Sequence, residues 1–210
     1  PGTDLGGLGR RATVVKRIRA AGAPVVLVDS GDFLPVAPED PRALQVAAAY
    51  RAIGYDAVTI GEEDFVEGLK FLRELVAAKD IPFITANLKA CKDEECVDLA
   101  RSSVLVNAGK RRVAVFGYMH PETVGFPPSK RMKDGPWKLK IVAHVPLLKG
   151  FLARYRPEAD LLVVLSHAGV DLDRKLAEAG PGIDVIVGGH SQTFMSEPVR
   201  VGNTLIVQAA

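Results

Sequence analysis

The sequence predicts a layered α/β fold, on two observations. Short, fully apolar, β-branched runs alternate with stretches that have the amphipathic periodicity of helices. Most of the apolar runs end in a turn that contains glycine or serine. Strands that alternate with helices are typical of a sheet covered by helices. The chain has 210 residues, 48% of them hydrophobic and 25% charged. This length is sufficient for one globular domain with a sizeable core, or at most two small ones.

Charge and hydropathy exclude two classes of partner. The 27 Lys and Arg residues nearly balance the 25 Asp and Glu residues, for a net charge of +2. Because this excess is mild and dispersed, it does not predict a nucleic-acid or bilayer surface. The longest apolar stretches, such as residues 161–165, are far shorter than the roughly 20 residues of a membrane helix. We therefore expect no nucleic-acid partner and no membrane span.

The first half of the chain predicts helices and strands in alternation. A helix over 8–21 places Val14, Val15 and Ile18 on one face, as expected of a helix that lies on a sheet. A helix over 62–79 carries an apolar stripe of core residues that includes Phe65 and Leu72. The other predicted elements of this half are a strand over 24–29, a helix over 41–54, a strand over 56–60 and a strand over 81–86.

The second half predicts a mixed sheet. Strands over 104–107 and 112–116 form an antiparallel pair with a turn at Gly109-Lys110. Residues 118–140 carry four prolines and fit no helical or strand periodicity, so they predict a long surface loop. The remaining predicted elements are a helix over 141–155, a strand over 160–165, a helix over 171–179, a strand over 183–187 and a strand over 204–208.

The two cysteines, Cys91 and Cys96, lie in a short polar segment. They form a small disulfide loop in an oxidising compartment or stay as two thiols in a reducing one. The sequence leaves these alternatives open. Two cysteines without a nearby histidine make a poor zinc site.

Three predicted strands end in a small-residue turn followed by a side chain that can bind metal. These turns are Gly31-Asp32, Ser166-His167 and Gly189-His190, and a fourth strand ends at the acidic residues 62–64. Ligand sites of open α/β sheets gather beyond the carboxyl ends of the strands. Carboxylates and imidazoles together suit Mn, Fe, Zn or a pair of such ions. The joint occurrence of these turns therefore predicts a metal site.

Each of these motifs also has a purely structural interpretation. Asp32 after a strand is compatible with an ordinary turn, and a single histidine at a strand end is often just hydrogen-bonded. The acidic residues Glu62, Glu63 and Asp64 are also what the first turn of a helix favours, because they complement the helix dipole.

The order of the motifs resembles the calcineurin-like metallophosphoesterases, and specifically their 5′-nucleotidase branch. The motifs are Gly-Asp at 31–32, Gly-Glu-Glu-Asp-Phe at 61–65, Ser-His-Ala-Gly at 166–169 and Gly-Gly-His-Ser-Gln at 188–192. The resemblance covers essentially the whole chain. It implies a four-layer αββα sandwich with mixed β-sheets and a two-metal site at the strand ends. Asp32 then corresponds to a carboxylate that bridges both metals, and His167 and His190 correspond to metal ligands.

This sequence departs from the family pattern at several motif positions. The family's first motif, Asp-x-His, has no counterpart in it. Glu62 and Glu63 stand where the family has an Asn ligand and a His that helps to protonate the leaving group, so Glu62 is an altered ligand and Glu63 takes the catalytic position. Gln192 replaces a second histidine of the last motif as a weak ligand. We expect residues 1–210 to be one metallophosphoesterase domain, without the first-motif segment and without a C-terminal substrate domain.

Two functions follow as hypotheses. The first is a metal-dependent phosphoester hydrolase of the 5′-nucleotidase type, which uses a metal-bound hydroxide on a small phosphoester substrate. Its cofactor is a divalent ion, Mn, Fe or Zn, or a pair of them. The alternative is a degenerate relative without hydrolysis or metal, which serves as a secreted binding or assembly module for a protein partner. Whether the chain is an enzyme is thus left open. Members of this branch are commonly exported, so the resemblance implies a periplasmic or extracellular location.

Overall fold

The computed structural model describes residues 6–37, 40–123 and 133–209. Within these ranges the helices are α1 (Leu8–Ala20), α2 (Ala43–Ile53), α3 (Leu69–Ala78), α4 (His144–Tyr155) and α5 (Val170–Ala179). The strands are β1 (Val28–Asp29), β2 (Ala57–Val58), β3 (Leu88–Lys92), β4 (Glu95–Asp98), β5 (Ser103–Ala108), β6 (Arg111–Met119), β7 (Lys133–Asp134), β8 (Trp137–Ile141), β9 (Leu161–His167), β10 (Val185–Gly188), β11 (Val199–Val201) and β12 (Thr204–Gln208). The predicted alternation of strands and helices is confirmed.

The largest sheet has the strand order β11-β12-β10-β9-β6-β5. Strands β6, β9, β10 and β12 are parallel to one another, while β5 and β11 pair antiparallel at the two edges. The prediction of a mixed sheet is therefore confirmed, and the predicted β5–β6 hairpin is present. A second sheet pairs β1 with β2 in parallel, and a third has the order β4-β3-β8-β7.

Three hydrophobic clusters fill the spaces between the layers of helices and sheets. One cluster fills the space between the largest sheet and helices α4 and α5, around Phe116, Phe151 and Leu162. A second cluster lies between the largest sheet and the β1–β2 sheet, where Ala57 and Ile84 pack with Val115 of β6. The third packs the helices of the first half against the smaller sheets. This order of helices, sheet, sheet and helices is the four-layer αββα sandwich that the resemblance implied.

Helix α1 buries a different face from the one predicted. Only Val15 of the three predicted core residues is buried, whereas Val14 is 52% exposed and Ile18 is 47% exposed. Leu8 and Ala12 pack with Val15 against the core instead. The reason is that α1 lies against α2 and not flat on a sheet, so the narrower i, i+4, i+7 face suffices.

The predicted helix over 62–79 is divided in two. A 3-10 helix covers Glu63–Phe65, and α3 begins only at Leu69. Gly68, with φ 94°, stands between them. The acidic residues before Phe65 are therefore not the first turn of α3. The predicted strand over 81–86 is also replaced, by isolated bridges from Phe83 to Val58 and from Ile84 to Arg101.

The prediction of a loop over 118–140 is wrong at both ends of that segment. Strand β6 continues to Met119, and β7 and β8 form an antiparallel hairpin whose second strand pairs with β3. Residues 124–132 lie outside the described residues. In β8 the side chains of Trp137, Leu139 and Ile141 alternate with two exposed lysines. This alternation is a strand pattern that the surrounding prolines and lysines obscured.

The cysteine segment forms a hairpin that the sequence did not predict. Strands β3 and β4 pair antiparallel with Cys91 directly opposite Cys96, and a disulfide joins the two. Of the two alternatives left open by the sequence, the structure has the disulfide.

Asp173 is a fully buried carboxyl group in the first turn of α5. One oxygen accepts a hydrogen bond from the Ser166 hydroxyl. The other, Oδ2, has no hydrogen-bond partner within the described part of the chain. Burial raises the pKa of Asp173 from its ordinary value to about 7. The folded protein therefore keeps this proton at pH values where the unfolded chain has lost it.

From this we expect Asp173 to make folding less favourable as pH rises toward 7. Between about pH 4 and 7 the native state binds more protons than the unfolded state, so stability falls with increasing pH. Asp173→Asn removes the titration. The unfolding free energy of the wild type, relative to that of the variant, is expected to drop by about 3 kcal/mol between pH 5 and 7.5. Urea unfolding of both proteins at the two pH values measures this, and parallel pH dependences would contradict it.

Candidate metal centre

The predicted ligands meet beyond the carboxyl ends of two parallel strand pairs, β9–β10 and β1–β2. His167 is the last residue of β9, and His190 follows the neighbouring strand β10 by two residues. Asp32 and Glu62 follow β1 and β2, which also pair in parallel. Because parallel strands end at the same edge, these four turns converge.

Glu62 lies between the two imidazoles. Its Oε2 is 2.7 Å from His167 Nε2 and its Oε1 is 2.6 Å from His190 Nδ1. One ligand atom from each of these three residues lies within 4.8 Å of the others. Asp32 adds a second carboxylate, with Oδ2 at 3.2 Å from His167 Nε2. The structure therefore brings together four of the predicted metal ligands.

Two buried atoms of this group face each other. Glu62 Oε2 and His167 Nε2 lie 2.7 Å apart, and neither has a further hydrogen-bond partner within the described residues. His167 Nδ1 is 2.6 Å from the carbonyl oxygen of Ser30. With the proton on Nδ1, donated to that carbonyl, Nε2 presents a lone pair toward the carboxylates. A divalent cation would satisfy both atoms, and two histidines with a carboxylate suit Zn, Fe or Mn. The residues present fit such an ion.

Without an ion, the same arrangement holds a proton. Burial disfavours a charged imidazole, but the carboxylates of Asp32 and Glu62 outweigh it and raise the pKa of His167 to about 11. Burial opposes ionisation of Glu62 as well, yet the contacts with His167 and His190 leave its pKa below the ordinary value. The carboxylates of Asp32 and Glu62 thus make this position negatively charged. It attracts either a proton or a metal ion.

The backbone is strained where the ligands are. Five non-glycine residues of the described chain have positive φ, and three of these are the predicted ligands Asp32, His190 and Gln192, at 58°, 71° and 48°. Such conformations cost roughly 1–3 kcal/mol each and persist only where the surroundings enforce them. Gly31 and Gly61 supply the space: a Cβ on Gly31 would lie 2.9 Å from His167 Nδ1, and one on Gly61 would lie 2.5 Å from His167 Cε1.

Asp64 holds the turns in place. It is fully buried, and its two oxygens accept four backbone N–H groups, from Asp32, Phe33, Leu34 and Gly61, at 2.9–3.1 Å. Burial and the charge of Asp32 raise its pKa to about 7, against the opposing effect of these bonds. Asp64 does lie in the first turn of the 3-10 helix Glu63–Phe65, but its hydrogen-bond partners belong to the two ligand turns.

Glu63 and Gln192 lie beside the cluster of Glu62, His167 and His190 and are not part of it. The Glu63 amide donates to Asp32 Oδ1 at 2.9 Å. Both side chains line a cavity of about 580 Å³ that also includes Asp32, His167 and His190. Burial, together with the charges of Asp32 and Glu62, raises the pKa of Glu63.

Several residues that position the site had no role assigned to them from the sequence. The Ser30 carbonyl orients His167. Ser191 ties the His190 loop to the rest of the fold, with its hydroxyl 3.3 Å from the Val170 amide and 3.0 Å from the Gln208 side chain. Ser30 directly precedes the Gly-Asp motif at 31–32, and Ser191 lies within the motif at 188–192. Gln208 ends a predicted strand next to the motif strands, which is the signal that could have identified it.

Comparison with known proteins gives relatives of one kind. No family model matches the chain. The chain is 30% identical over 209 residues to Protein 5NUC of Lutzomyia longipalpis, a match that covers 93% of the chain and 35% of that protein. It is 28% identical to the 5′-nucleotidase of Bos taurus, over 91% of the chain and 33% of the relative. It is also 28% identical to the snake venom 5′-nucleotidase of Gloydius brevicauda, over 94% and 35%. The chain thus spans about a third of the length of these relatives.

Solved structures give the same result for the fold. The sulfate thiohydrolase SoxB of Thermus thermophilus is 26% identical, with a TM-score of 0.81 over 98% of this chain and 38% of its own. A 5′-nucleotidase precursor from Thermus thermophilus is 24% identical, with a TM-score of 0.83 over 98% and 43%. The calcineurin-like phosphoesterase YfkN of Bacillus subtilis is 20% identical, with a TM-score of 0.76 over 99% and 74%. The last two likenesses concern the fold alone.

Proposed function

Since the chain belongs to the calcineurin-like phosphoesterase superfamily, in its 5′-nucleotidase branch, we propose that it is a metal-dependent phosphoester hydrolase. The observation that carries the proposal is the cluster of Glu62, His167 and His190, in which one ligand atom of each residue lies within 4.8 Å of the others. We further propose that residues 1–210 form the metallophosphoesterase domain of this hydrolase.

The roles of the ligands follow from their positions. Glu62, His167 and His190 would hold a first divalent ion, with Asp32 next to His167. Asp32 and the amide oxygen of Gln192, which line the same cavity, are the ligands available to a second ion. A bound ion, Mn, Fe or Zn, would supply Lewis-acid polarisation of the phosphate and a reactive water at neutral pH.

Glu63 would act as the general acid. Its carboxyl lines the cavity, and burial together with two neighbouring carboxylates favours its protonated form. A proton on this carboxyl can pass to the ester oxygen as the bond to phosphorus breaks. Glu63 thus takes the place that the family gives to a histidine, with the difference that it is neutral before the transfer and negative after it.

The substrate class follows from the relatives. The relatives from Bos taurus and Gloydius brevicauda are named 5′-nucleotidases, so a nucleoside 5′-phosphate is the proposed substrate. SoxB, which has the same fold, is named as a sulfate thiohydrolase, so the fold by itself does not fix the bond that is cleaved. The alternative of a degenerate binding module is less well supported, because the altered residue Glu62 contacts both histidines instead of disrupting them.

We propose an extracytoplasmic location. The Cys91–Cys96 disulfide requires an oxidising compartment to persist, and one relative is a venom protein. None of the described helices is both long and apolar enough to cross a membrane.

The experiment is a hydrolysis assay on the 210-residue chain, loaded in turn with Mn²⁺, Fe²⁺ and Zn²⁺. We expect release of phosphate from adenosine 5′-monophosphate or from p-nitrophenyl phosphate, and loss of this activity in EDTA and in the His167→Ala variant. The aryl ester needs no base-binding region, so it reports on the metal centre alone. A chain that binds the ions but cleaves neither ester would refute the proposal.

A further inference from the structure

Four side chains form a hydrogen-bonded network beside the metal centre and play no part in the proposed reaction. Arg11 lies on α1, Tyr50 on α2, Tyr55 after α2 and Asp29 at the end of β1. Arg11 Nη1 is 2.8 Å from the Tyr55 hydroxyl, 3.0 Å from the Tyr50 hydroxyl and 3.2 Å from Asp29 Oδ2. The Tyr50 hydroxyl donates to the same Asp29 oxygen at 2.9 Å.

The carboxylate of Asp29 links this network to the ligand turn. Its Oδ2 faces the two helices, while its Oδ1 accepts the N–H of Gly31 at 3.1 Å. The link is rigid, because Tyr50 is only 3% exposed and its ring stacks on Tyr55 at 4.5 Å.

The turn needs this support. Gly31 and Asp32 are consecutive residues with φ 93° and 58°. Asp64 accepts the N–H groups of Asp32 and the two residues after it, but the N–H of Gly31 bonds to Asp29. Asp29 and Asp64 together therefore fix four successive N–H groups of the loop that carries the Asp32 ligand.

We propose that Arg11 and Tyr50 position Asp32 through the Asp29 carboxylate, so that helices α1 and α2 set the affinity of an ion they do not touch. The inference rests on the proposed function insofar as it concerns a bound ion. Groups that orient metal ligands from outside the ligand set typically change metal affinity by about 10–100-fold when they are removed.

The test is calorimetric titration of the 210-residue chain with Mn²⁺. Tyr50→Phe removes one hydroxyl and keeps the ring packing, and we expect roughly tenfold weaker binding. Arg11→Met is expected to have a similar effect. Arg11→Lys should restore the affinity, because the contacts converge on a single nitrogen and a lysine ammonium supplies three N–H donors.

Arg19→Met is the matched control. Arg19 also lies on α1 and donates to the carbonyls of Ile53 and Gly54 at the end of α2, without contacting Asp29. It should destabilise the packing of α1 on α2 and leave Mn²⁺ affinity unchanged. An equal loss of affinity in Arg19→Met, or an unchanged affinity in Tyr50→Phe, would overturn the inference.

A second measurement does not depend on a metal. Amide hydrogen exchange of Gly31, followed by NMR in the metal-free chain, should be about tenfold faster in Tyr50→Phe than in the wild type, because the Asp29 acceptor is less firmly held. If the wild type binds none of Mn²⁺, Fe²⁺ and Zn²⁺, the proposed function fails and this exchange rate decides the inference alone. Unchanged exchange at Gly31 would then refute it.

Discussion

Replacing Glu62 with glutamine is expected to weaken Mn²⁺ binding by at least about 100-fold, more than the loss of an outer group costs. Glu62 is the one residue whose two oxygens lie 2.6 and 2.7 Å from the two histidines of the described cluster. Glutamine has the same shape, but it lacks the charge and presents an N–H₂ group to one imidazole. Phosphoester hydrolysis should fall with ion occupancy.

Glu67→Gln is the control for this substitution. Glu67 lies nearby in the chain, and its side chain accepts the backbone N–H of Asp40 at 3.0 Å. It should leave Mn²⁺ affinity within about twofold of the wild type, as expected for a polar group away from the site. Titration calorimetry of both variants decides the question, and a Glu62→Gln protein that binds Mn²⁺ like Glu67→Gln would show that Glu62 is not a ligand.

The second large effect concerns stability. Asp64→Asn is expected to lower the free energy of unfolding by about 4 kcal/mol at pH 8, because it turns an N–H₂ group toward backbone N–H groups that are already donors. Four such groups depend on Asp64, which is fully buried. For a chain of this length the melting temperature should fall by about 10 °C.

Urea unfolding measures the loss, with Asp80→Asn as the comparison. Asp80 forms a partly exposed ion pair with Arg51 at 3.1 Å, and such pairs contribute about 0–1 kcal/mol. If Asp64→Asn costs no more than Asp80→Asn, then Asp64 does not hold the ligand turns. Weaker Mn²⁺ binding by folded Asp64→Asn protein would further support its role.

Much of the fold was predictable, because the strands of the largest sheet are buried on both faces. Their apolar runs at 112–116, 160–165 and 183–187 match β6, β9 and β10 closely. Elements that depend on distant partners were not predictable. The α1 face that is buried is set by α2, and the β3–β4 hairpin is a short, largely polar segment that pairs with β8 and is closed by the disulfide.

The metal ligands of the candidate site could be predicted from the sequence, but most of the residues that hold the ligands in place could not. Strand-end turns pointed to Asp32, His167 and His190, because the parallel sheet forces such turns together. The role of Asp64 arises from hydrogen bonds to the backbone of a turn distant in the sequence, and that of Asp29 from contacts with two helices; neither leaves a spacing or periodicity in the sequence. Glu62 was predicted as an altered ligand, but only the structure places it between two histidines.

The central claim is that Glu62, His167 and His190 bind a divalent ion. Elemental analysis by inductively coupled plasma mass spectrometry tests it most directly, on chain purified without chelator beside a His167→Ala, His190→Ala double variant. We expect at least about one Mn, Fe or Zn per wild-type chain, as a complete set of three protein ligands would hold, and almost none in the variant. Equal metal content in the two proteins, or none in either after loading with each ion, would contradict the claim.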